Sequence, residues 1–482
     1  MDTGLAAGGR RTVRLPWHAF EHTHVRAAVC HGARGAGAQA DTQGPADIHG
    51  LLSGQRPRKM SMYDIHFVEE MRALLGDQLP AFLDALEQPS TRALRVNALR
   101  PAAYAHCLPY MGDPVPWCGD GYYIREGARP GASAAHNFGA MYLQEASAMT
   151  AAAALAPAPG ERILDLCAAP GGKSTQIAAA MRGAGVLVSN EIVPSRAKLL
   201  RENLERMGVT NAVAVCAAPD LLARQWPGMF DAVLVDAPCS GEGMFRRTPE
   251  ARGEWKPESP QGCARRQAEI LDSAAEMVRS GGRLVYSTCT FNRHEDEGSV
   301  ARFLERHADF APEDFSLPGL GASEGGMLRV WPHLARGDGH FVARLRRAPG
   351  RAREPAPMQA SKELVSLLER FRDEVGAPPD GTPIRQGDYV HLLPHGTPSL
   401  DGIRTVKPGL ALMRTGRSHI EPLPAFARAA GVAPNRTMEI DDALMERLRA
   451  GEKPKLTGPA PGWTLLEWQG LPVAYRKIGK EA

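Results

Sequence analysis

Between residues 161 and 346, short apolar runs alternate with longer helix-length segments, and that alternation leaves few folds open. Residues 162–166, 186–190, 212–215, 232–235 and 283–286 are runs of strand length, and 340–345 reads as a last strand. Between them lie helix-length segments at 195–207, 265–278 and 295–307, and a Gly-rich turn after the first run leads into a helix ending at Met181. Strands that are apolar throughout are buried on both faces, and strands alternating with helices build a parallel sheet covered on both sides. The expectation is an α/β doubly wound, Rossmann-like sheet. At 482 residues and 43% apolar, the chain has material for two to four domains.

The flanks differ from this unit. Residues 1–59 are rich in Ala, Gly, His and Arg, hold no sustained period, and carry eight Lys/Arg against four Asp/Glu. They read as a disordered leader, with Met60 and Met62 as candidate true starts. Order begins near Tyr63, where Phe67, Met71, Leu74 and Leu75 mark one helical face, and a second helix over 79–86 ends at Gln88-Pro89. After the sheet, residues 347–357 form a Pro/Arg/Ala linker, and 363–482 read as a second globular unit of short strands and Gly/Pro turns.

Several classes fall away. No run approaches the ~18–20 apolar residues of a membrane span. The eight cysteines include no Cys-x-x-Cys pair, which argues against a zinc ribbon or a dithiol redox site. A cytoplasmic, metal-free monomer is expected. The net charge of +3 comes from the leader, so any nucleic-acid surface must be a local patch. Only about ten of the 57 basic residues are Lys, which reads as coding bias.

The first strand runs into Cys167, Ala168, Ala169, Pro170, Gly171, Gly172, Lys173 and Ser174. A strand, a small-residue turn and a helix start offer backbone N–H groups and a positive helix end to a ligand. The second strand ends in Glu191, where a carboxylate in such sheets holds a ribose; its alternative is a helix-capping acid before Pro194. No G-x-G-x-x-G is present. Gly172-Lys173-Ser174 fits the end of a P-loop, with 232–236 as a possible Walker-B strand, but Cys167 stands where that loop needs its first Gly. The loop by itself leaves the ligand open.

Two cysteines carry more. The fourth strand leads into Asp236-Ala237-Pro238-Cys239-Ser240-Gly241-Glu242-Gly243, and the fifth into Ser287-Thr288-Cys289-Thr290. Any single Cys is by default a buried structural residue. Two at neighbouring strand ends should face the ligand crevice. Methylation of cytosine at carbon 5 needs such a pair. A thiolate adds to carbon 6, a carboxyl group steadies ring nitrogen 3 and the exocyclic amine, and a base removes the carbon-5 proton for release.

The chain resembles the Sun/Fmu family of RNA cytosine-C5 methyltransferases, in its RsmF-like ribosomal RNA subgroup. Arg95-Val96-Asn97, Tyr142–Ser147, Asp165–Lys173, Asp236–Gly243, Ser287–Thr290 and Phe341–Leu345 carry the likeness, which runs from about Met62 to the C-terminus. The resemblance implies Cys289 as nucleophile, Cys239 as releasing thiol, Asp236 on the cytosine and near the cofactor's methyl group, and Lys173 as a further polar contact. It implies that Cys167 to Lys173 wrap the amino-acid end of S-adenosylmethionine and that Glu191 holds its ribose. Ala218 stands where relatives carry an acid for the adenine, Asp220 comes two residues late, and a backbone contact is expected. The implied division is leader 1–59, an RNA-contacting N-terminal module 60–135 with Arg95 and Asn97 in its signature, a methyltransferase domain 136–346, linker 347–362, and a PUA-like RNA-binding region 363–482. There Arg404, Lys407, Arg414, Arg417, Trp463, Trp468 and Tyr475 are candidate RNA contacts. The expected substrate is small-subunit (16S) ribosomal RNA; transfer RNA, or a P-loop NTPase, is the alternative.

Overall fold

The computed structural model describes residues 63–351, 358–416 and 419–480. The expected leader, Met60, Met62, the middle of the linker and Arg417 lie outside the described residues. Near the N-terminus, helices Ile65–Leu75 and Leu79–Leu86 precede a small antiparallel sheet of β1 (Ala93–Val96), β2 (Met111–Pro114), β3 (Gly121–Ile124) and β4 (Met141–Leu143) in the order β2-β3-β1-β4.

The central sheet follows the alternation in the sequence. β5 (Arg162–Asp165), β6 (Val186–Asn190), β7 (Ala212–Val215), β8 (Phe230–Asp236) and β9 (Val278–Thr288) are parallel. β10 (Phe310–Pro312), the small hairpin β11 (Ser316–Leu317) and β12 (Gly321–Ala322), β13 (Met327–Val330) and β14 (His340–Arg347) come next, with β14 antiparallel to β9. The order β10-β14-β9-β8-β5-β6-β7 puts the chain reversal between β5 and β8, where crevices open at the carboxyl ends of strands. Alternate residues explain the double cover. Ile163, Leu187, Ala214, Ala232 and Leu234 pack into one core and Leu164, Val188, Val213, Val233 and Val235 into another. No described helix is long and apolar enough to cross a membrane.

Element limits moved where tertiary contacts intervened. Helix Ser259–Met277 starts six residues earlier than its pattern suggests, and helix Glu297–Arg306 starts two later, because the Glu295 side chain accepts from Ser240 in a neighbouring loop and that of Asp296 from Thr288 at the end of β9. Helix Pro219–Gln225 and the N-terminal strands had no readable period.

The flanking parts are built into the central unit. Strand Thr405–Lys407, from the C-terminal region, pairs antiparallel with β7 and covers that sheet edge. The N-terminal sheet shares a hydrophobic cluster with the C-terminal end of the chain, Leu94, Val96 and Met141 meeting Ile440, Leu466 and Val473. The first two helices bury Phe67, Phe82 and Leu83 with Phe245, Trp255 and Phe291 of the sheet's loops.

These contacts correct part of the expected RNA surface. Arg95 is 1% exposed; its guanidinium donates to Gln144 Oε1, to the Gly172 carbonyl and to Thr175 Oγ1. Asn97 is equally buried and donates to the Gly139 and Met207 carbonyls. Both are struts between the N-terminal sheet and the helices of the central domain, so neither faces RNA. Lys407 is buried too, its ammonium bonded to the Ala212 and Gly409 carbonyls and its pKa pushed down by burial to about 8. Tyr475 stacks on Phe426 inside the C-terminal core. Arg404 and Arg414 are exposed; Trp463 packs partly against that core, and the Trp468 ring N–H donates to Asp442.

Candidate active site

The turn after β5 is shaped by its own backbone. Ala168 N–H donates to the Asn190 carbonyl, and the Ala169 and Pro170 carbonyls accept from Arg196 and Asn203. The Ala169–Pro170 peptide is cis. Gly171 has φ +111°, a left-handed conformation that suits glycine, and a Cβ there would meet Leu200 at 3.2 Å. Gly172 then opens helix Gly172–Met181, whose first-turn N–H groups have no acceptor within the helix. Asp165, at the end of β5, is fully buried. Its Oδ2 accepts from Ser174, its Oδ1 has no partner, and burial, then the Asp236 and Glu191 charges, push it up to about 7 against the Ser174 bond. Cys167 is raised by burial and the neighbouring carboxylates, so it stays a thiol.

Glu191 closes the cofactor side. It is 3% exposed, Oε1 accepts from Val193 N–H, and Oε2 lies 3.3 Å from Arg196. Val193 is the N-cap of helix Pro194–Arg206 and that helix has no side-chain cap, so Glu191 does not cap it; the carboxylate lines the loop through its partner Arg196. After β7, Ala218 precedes helix Pro219–Gln225, and Asp220 pairs with Arg224 on the surface. Among the described residues, the third strand's end supplies no buried acid.

On the other side of the switch point stands Asp236. Lys173 Nζ meets its Oδ2 at 2.7 Å, and Ser287 Oγ, its register partner on β9, donates to Oδ1 at 2.8 Å. Burial alone would raise the carboxyl; the Lys173 charge, the nearby His340 and the two hydrogen bonds outweigh it, so Asp236 sits below its ordinary value. Burial alone would lower Lys173; Asp236 outweighs it and holds the ammonium charged. The pair stays accessible, with 11% and 29% of the Lys173 and Asp236 side chains exposed.

The two cysteines converge beside it. Cys239 Sγ and Cys289 Sγ are 3.3 Å apart, both half-buried. Cys239 is raised well above its ordinary range by its bond to Cys289, by burial, and by the charges of Cys289 and Glu295.

A buried polar network that sequence reasoning missed ties the two loops together. Glu242 accepts from Phe291 N–H, Asn292 N–H and Trp255 Nε1; Glu295 accepts from Ser240 N–H, Gln267 Nε2 and Asn292 Nδ2. Gly243 N–H donates to the Cys289 carbonyl, and a Cβ there would stand 3.0 Å from that oxygen. Burial and the Glu242 charge push Glu295 up to about 7. Glu242 stands within the Asp236–Gly243 stretch, but nothing in the sequence marks it as buried. His340, 3.8 Å from Asp236 Oδ1, was read only as the start of a strand.

A doubly wound sheet with a small-residue loop after its first strand and a buried carboxylate after its second defines a Rossmann-like enzyme that binds a ribose-bearing cofactor. Comparison with known proteins narrows this. Residues 152–346 match the family described as 16S rRNA methyltransferase RsmB/F, residues 64–146 the N-terminal domain of 16S rRNA methyltransferase RsmF, and residues 370–429 the first C-terminal domain of RsmF rRNA methyltransferase. The chain is 39% identical over 322 residues to ribosomal RNA small subunit methyltransferase F of Escherichia coli O157:H7, covering 62% of this chain and 67% of that one. Among solved structures, a methyltransferase homolog protein from Pyrococcus horikoshii is 28% identical, with a TM-score of 0.52 over 61% of this chain and 99% of that one. NSun6 from the same organism, solved with SFG, is 20% identical with a TM-score of 0.54 over 60% of this chain and all of that one, a likeness of fold. The chain belongs to the RsmB/F family, in its RsmF-like branch. It is an S-adenosylmethionine-dependent RNA methyltransferase, and Gly172-Lys173-Ser174 is a helix start rather than a P-loop.

Proposed function

We propose that the protein methylates carbon 5 of a cytosine in small-subunit ribosomal RNA through a covalent bond from Cys289 to carbon 6. The observation that carries this reading is the 3.3 Å approach of two thiols beside a charged Asp236–Lys173 pair. The names of the family and of its Escherichia coli relative support the ribosomal substrate.

The residues present fit the cofactor. Asp165 Oδ1 is an orphaned buried acceptor beneath the loop, the helix N-terminus offers N–H groups, and Glu191 offers a carboxylate. Cys167, Ala168, Ala169, Pro170, Gly171, Gly172 and Lys173 would line its amino-acid end, Glu191 its ribose, and Asp236 the side nearest its methyl group. When bound, S-adenosylmethionine supplies an electrophilic methyl group to carbon 5.

The chain's own residues do the rest. Cys289 attacks as a thiolate, with Cys239 Sγ 3.3 Å away, within hydrogen-bond reach of it. Addition at carbon 6 drives negative charge onto ring nitrogen 3, which takes up a proton from solvent, and Asp236, kept ionised by Lys173, accepts from the N–H so formed. The charge of Cys289 is consumed once its sulfur is bonded to carbon 6. With it go the bond to Cys289, the largest cause that raises Cys239, and the Cys289 charge, while burial and the Glu295 charge remain. Cys239 then gives its proton to solvent more readily, and as a thiolate it takes the proton from carbon 5. Loss of that proton expels the Cys289 thiolate and restores the aromatic ring.

Bisulfite sequencing of 16S rRNA from cells with and without the gene tests the reading. One 5-methylcytosine should disappear with the gene and return when purified protein and S-adenosylmethionine are added. An unchanged 5-methylcytosine map would overturn it.

A further inference from the structure

The sequence holds no Cys-x-x-Cys pair, yet the fold assembles a close dithiol from residues fifty apart. Two backbone hydrogen bonds hold together the strand ends that carry it. Ala237 N–H donates to the Ser287 carbonyl and Gly243 N–H to the Cys289 carbonyl, each at 2.9 Å. With the loops tied in this way, Cys239 Sγ and Cys289 Sγ stand 3.3 Å apart. A disulfide bond is about 2.04 Å long, so the two sulfurs have only about 1.3 Å to close. Small rotations about the two Cα–Cβ bonds move sulfurs over such a distance.

Access and reactivity point the same way. Cys239 and Cys289 are half-buried, within reach of a small solute, whereas Cys107, Cys118, Cys216 and Cys263 are buried. A sulfur nucleophilic enough to add to carbon 6 also attacks a peroxide oxygen. A partner thiol in contact then decides the outcome, because it captures the first oxidation product before a second oxidant arrives. The cofactor loop stays out of this chemistry, since its turn is held by Asn190, Arg196 and Asn203.

We propose that Cys239 and Cys289 are also an oxidation site, which a hydroperoxide closes to a disulfide that switches methyl transfer off until a dithiol reductant reopens it. One sulfur, as thiolate, attacks a peroxide oxygen. The O–O bond breaks, hydroxide leaves and takes a proton from solvent, and a sulfenic acid remains. The second sulfur attacks the sulfenic sulfur. The S–O bond breaks, and the hydroxide leaves as water with the second thiol's proton. Two thiols are thereby oxidised by two electrons, and one peroxide is reduced to two waters. A dithiol reverses the change by thiol–disulfide exchange and is itself left as a disulfide. The bond ties up nucleophile and releasing thiol together and keeps Cys289 from the irreversible sulfinic acid. The loss of activity rests on the roles proposed above; the closure rests on the distance between the sulfurs.

The test uses the full chain, treated with hydrogen peroxide and divided, with one half then reduced by dithiothreitol. In the oxidised half, mass spectrometry should find the tryptic peptides that carry Cys239 and Cys289 joined, lighter than their sum by two hydrogens. That half should form no covalent adduct with RNA spanning the mapped cytosine, and the reduced half should regain it. Affinity for S-adenosylmethionine, measured by calorimetry, should be the same in both halves. In Cys239→Ala, which lacks the second sulfur, the same treatment should carry Cys289 to a sulfinic acid that dithiothreitol does not reverse. Activity lost without joined peptides, or joined peptides in a protein that still forms the adduct, would overturn the proposal. Joined peptides in a protein that forms no adduct even when reduced would overturn the cytosine reading and leave the oxidation site standing.

Discussion

The cofactor loop and the two cysteine loops lie at the same edge of the same sheet, but they are held by different physics. The turn from Cys167 to Gly172 is set by backbone hydrogen bonds and by partners on the next strand and helix, Asn190, Arg196 and Asn203. The cysteine loops, fifty residues apart in sequence, are joined by two buried carboxylates and capped by helices from the N-terminus. A loop that binds a cofactor through its backbone needs only the right local conformation. Loops that must bring two sulfurs together need cross-links, and here these are buried charges, fully hydrogen-bonded because an unpaired one would be very costly. The comparison implies that damage to the first region should weaken binding, whereas damage to the second should cost chemistry or stability.

The largest effect should come from the thiols themselves. Cys289→Ala is expected to lose turnover by on the order of 10⁴-fold or more and to form no RNA adduct. Cys239→Ala should attack and methylate but fail to release, leaving a protein–RNA complex that survives denaturing electrophoresis. An adduct formed by Cys289→Ala instead would exchange the two roles.

Next comes the network. Glu242→Ala strips the acceptor from two backbone N–H groups and from Trp255, and is expected to cost roughly 3–4 kcal/mol by urea unfolding. Cofactor affinity of the folded fraction should not change. A stability loss below about 1 kcal/mol would mean that the cysteine loops hold together without their buried acid.

Glu191→Ala sharpens the contrast from the other side. Its removal should weaken S-adenosylmethionine binding by roughly 1.5–3 kcal/mol, as for a charge-assisted hydrogen bond, with little change in melting temperature. If calorimetry finds the affinity intact and the stability reduced, Glu191 only braces the loop through Val193 N–H and Arg196.

The smallest effect is a pH dependence. Glu295 has its pKa raised from an ordinary 4.5 to about 7, so the folded protein holds that proton more tightly than the unfolded chain. Its contribution to stability is complete below about pH 4.5 and is lost as the pH rises through about 7. The wild type should therefore gain stability relative to Glu295→Gln between about pH 8 and about pH 5. Urea unfolding of both proteins at the two pH values measures this, and a constant difference would show that Glu295 does not titrate in this window.

The parts of this protein that were legible in advance share a property: their signal is local. Strand runs, the Gly171-Gly172 turn, Glu191 at a strand end and cysteines 239 and 289 at two others all follow from short-range pattern and from the rule that crevices open at strand ends. What sequence reasoning missed or misread depends on distant partners. Arg95 and Asn97 stand in the signature of a module expected to contact RNA, but the helix that follows the cofactor loop lies against Arg95, and Asn97 donates to the Gly139 and Met207 carbonyls. Lys407 looked like a phosphate contact until its strand joined the central sheet.

Sequence by itself determined the doubly wound sheet, the ends of its strands and the residue types that stand there, because burial on both faces writes a repeating apolar pattern into consecutive residues. Only the tertiary structure decided which polar residues are buried and what they meet. Glu242, Glu295 and His340 look in sequence like ordinary surface residues. Desolvation and hydrogen bonding are set by neighbours tens of residues away, and no local period records them.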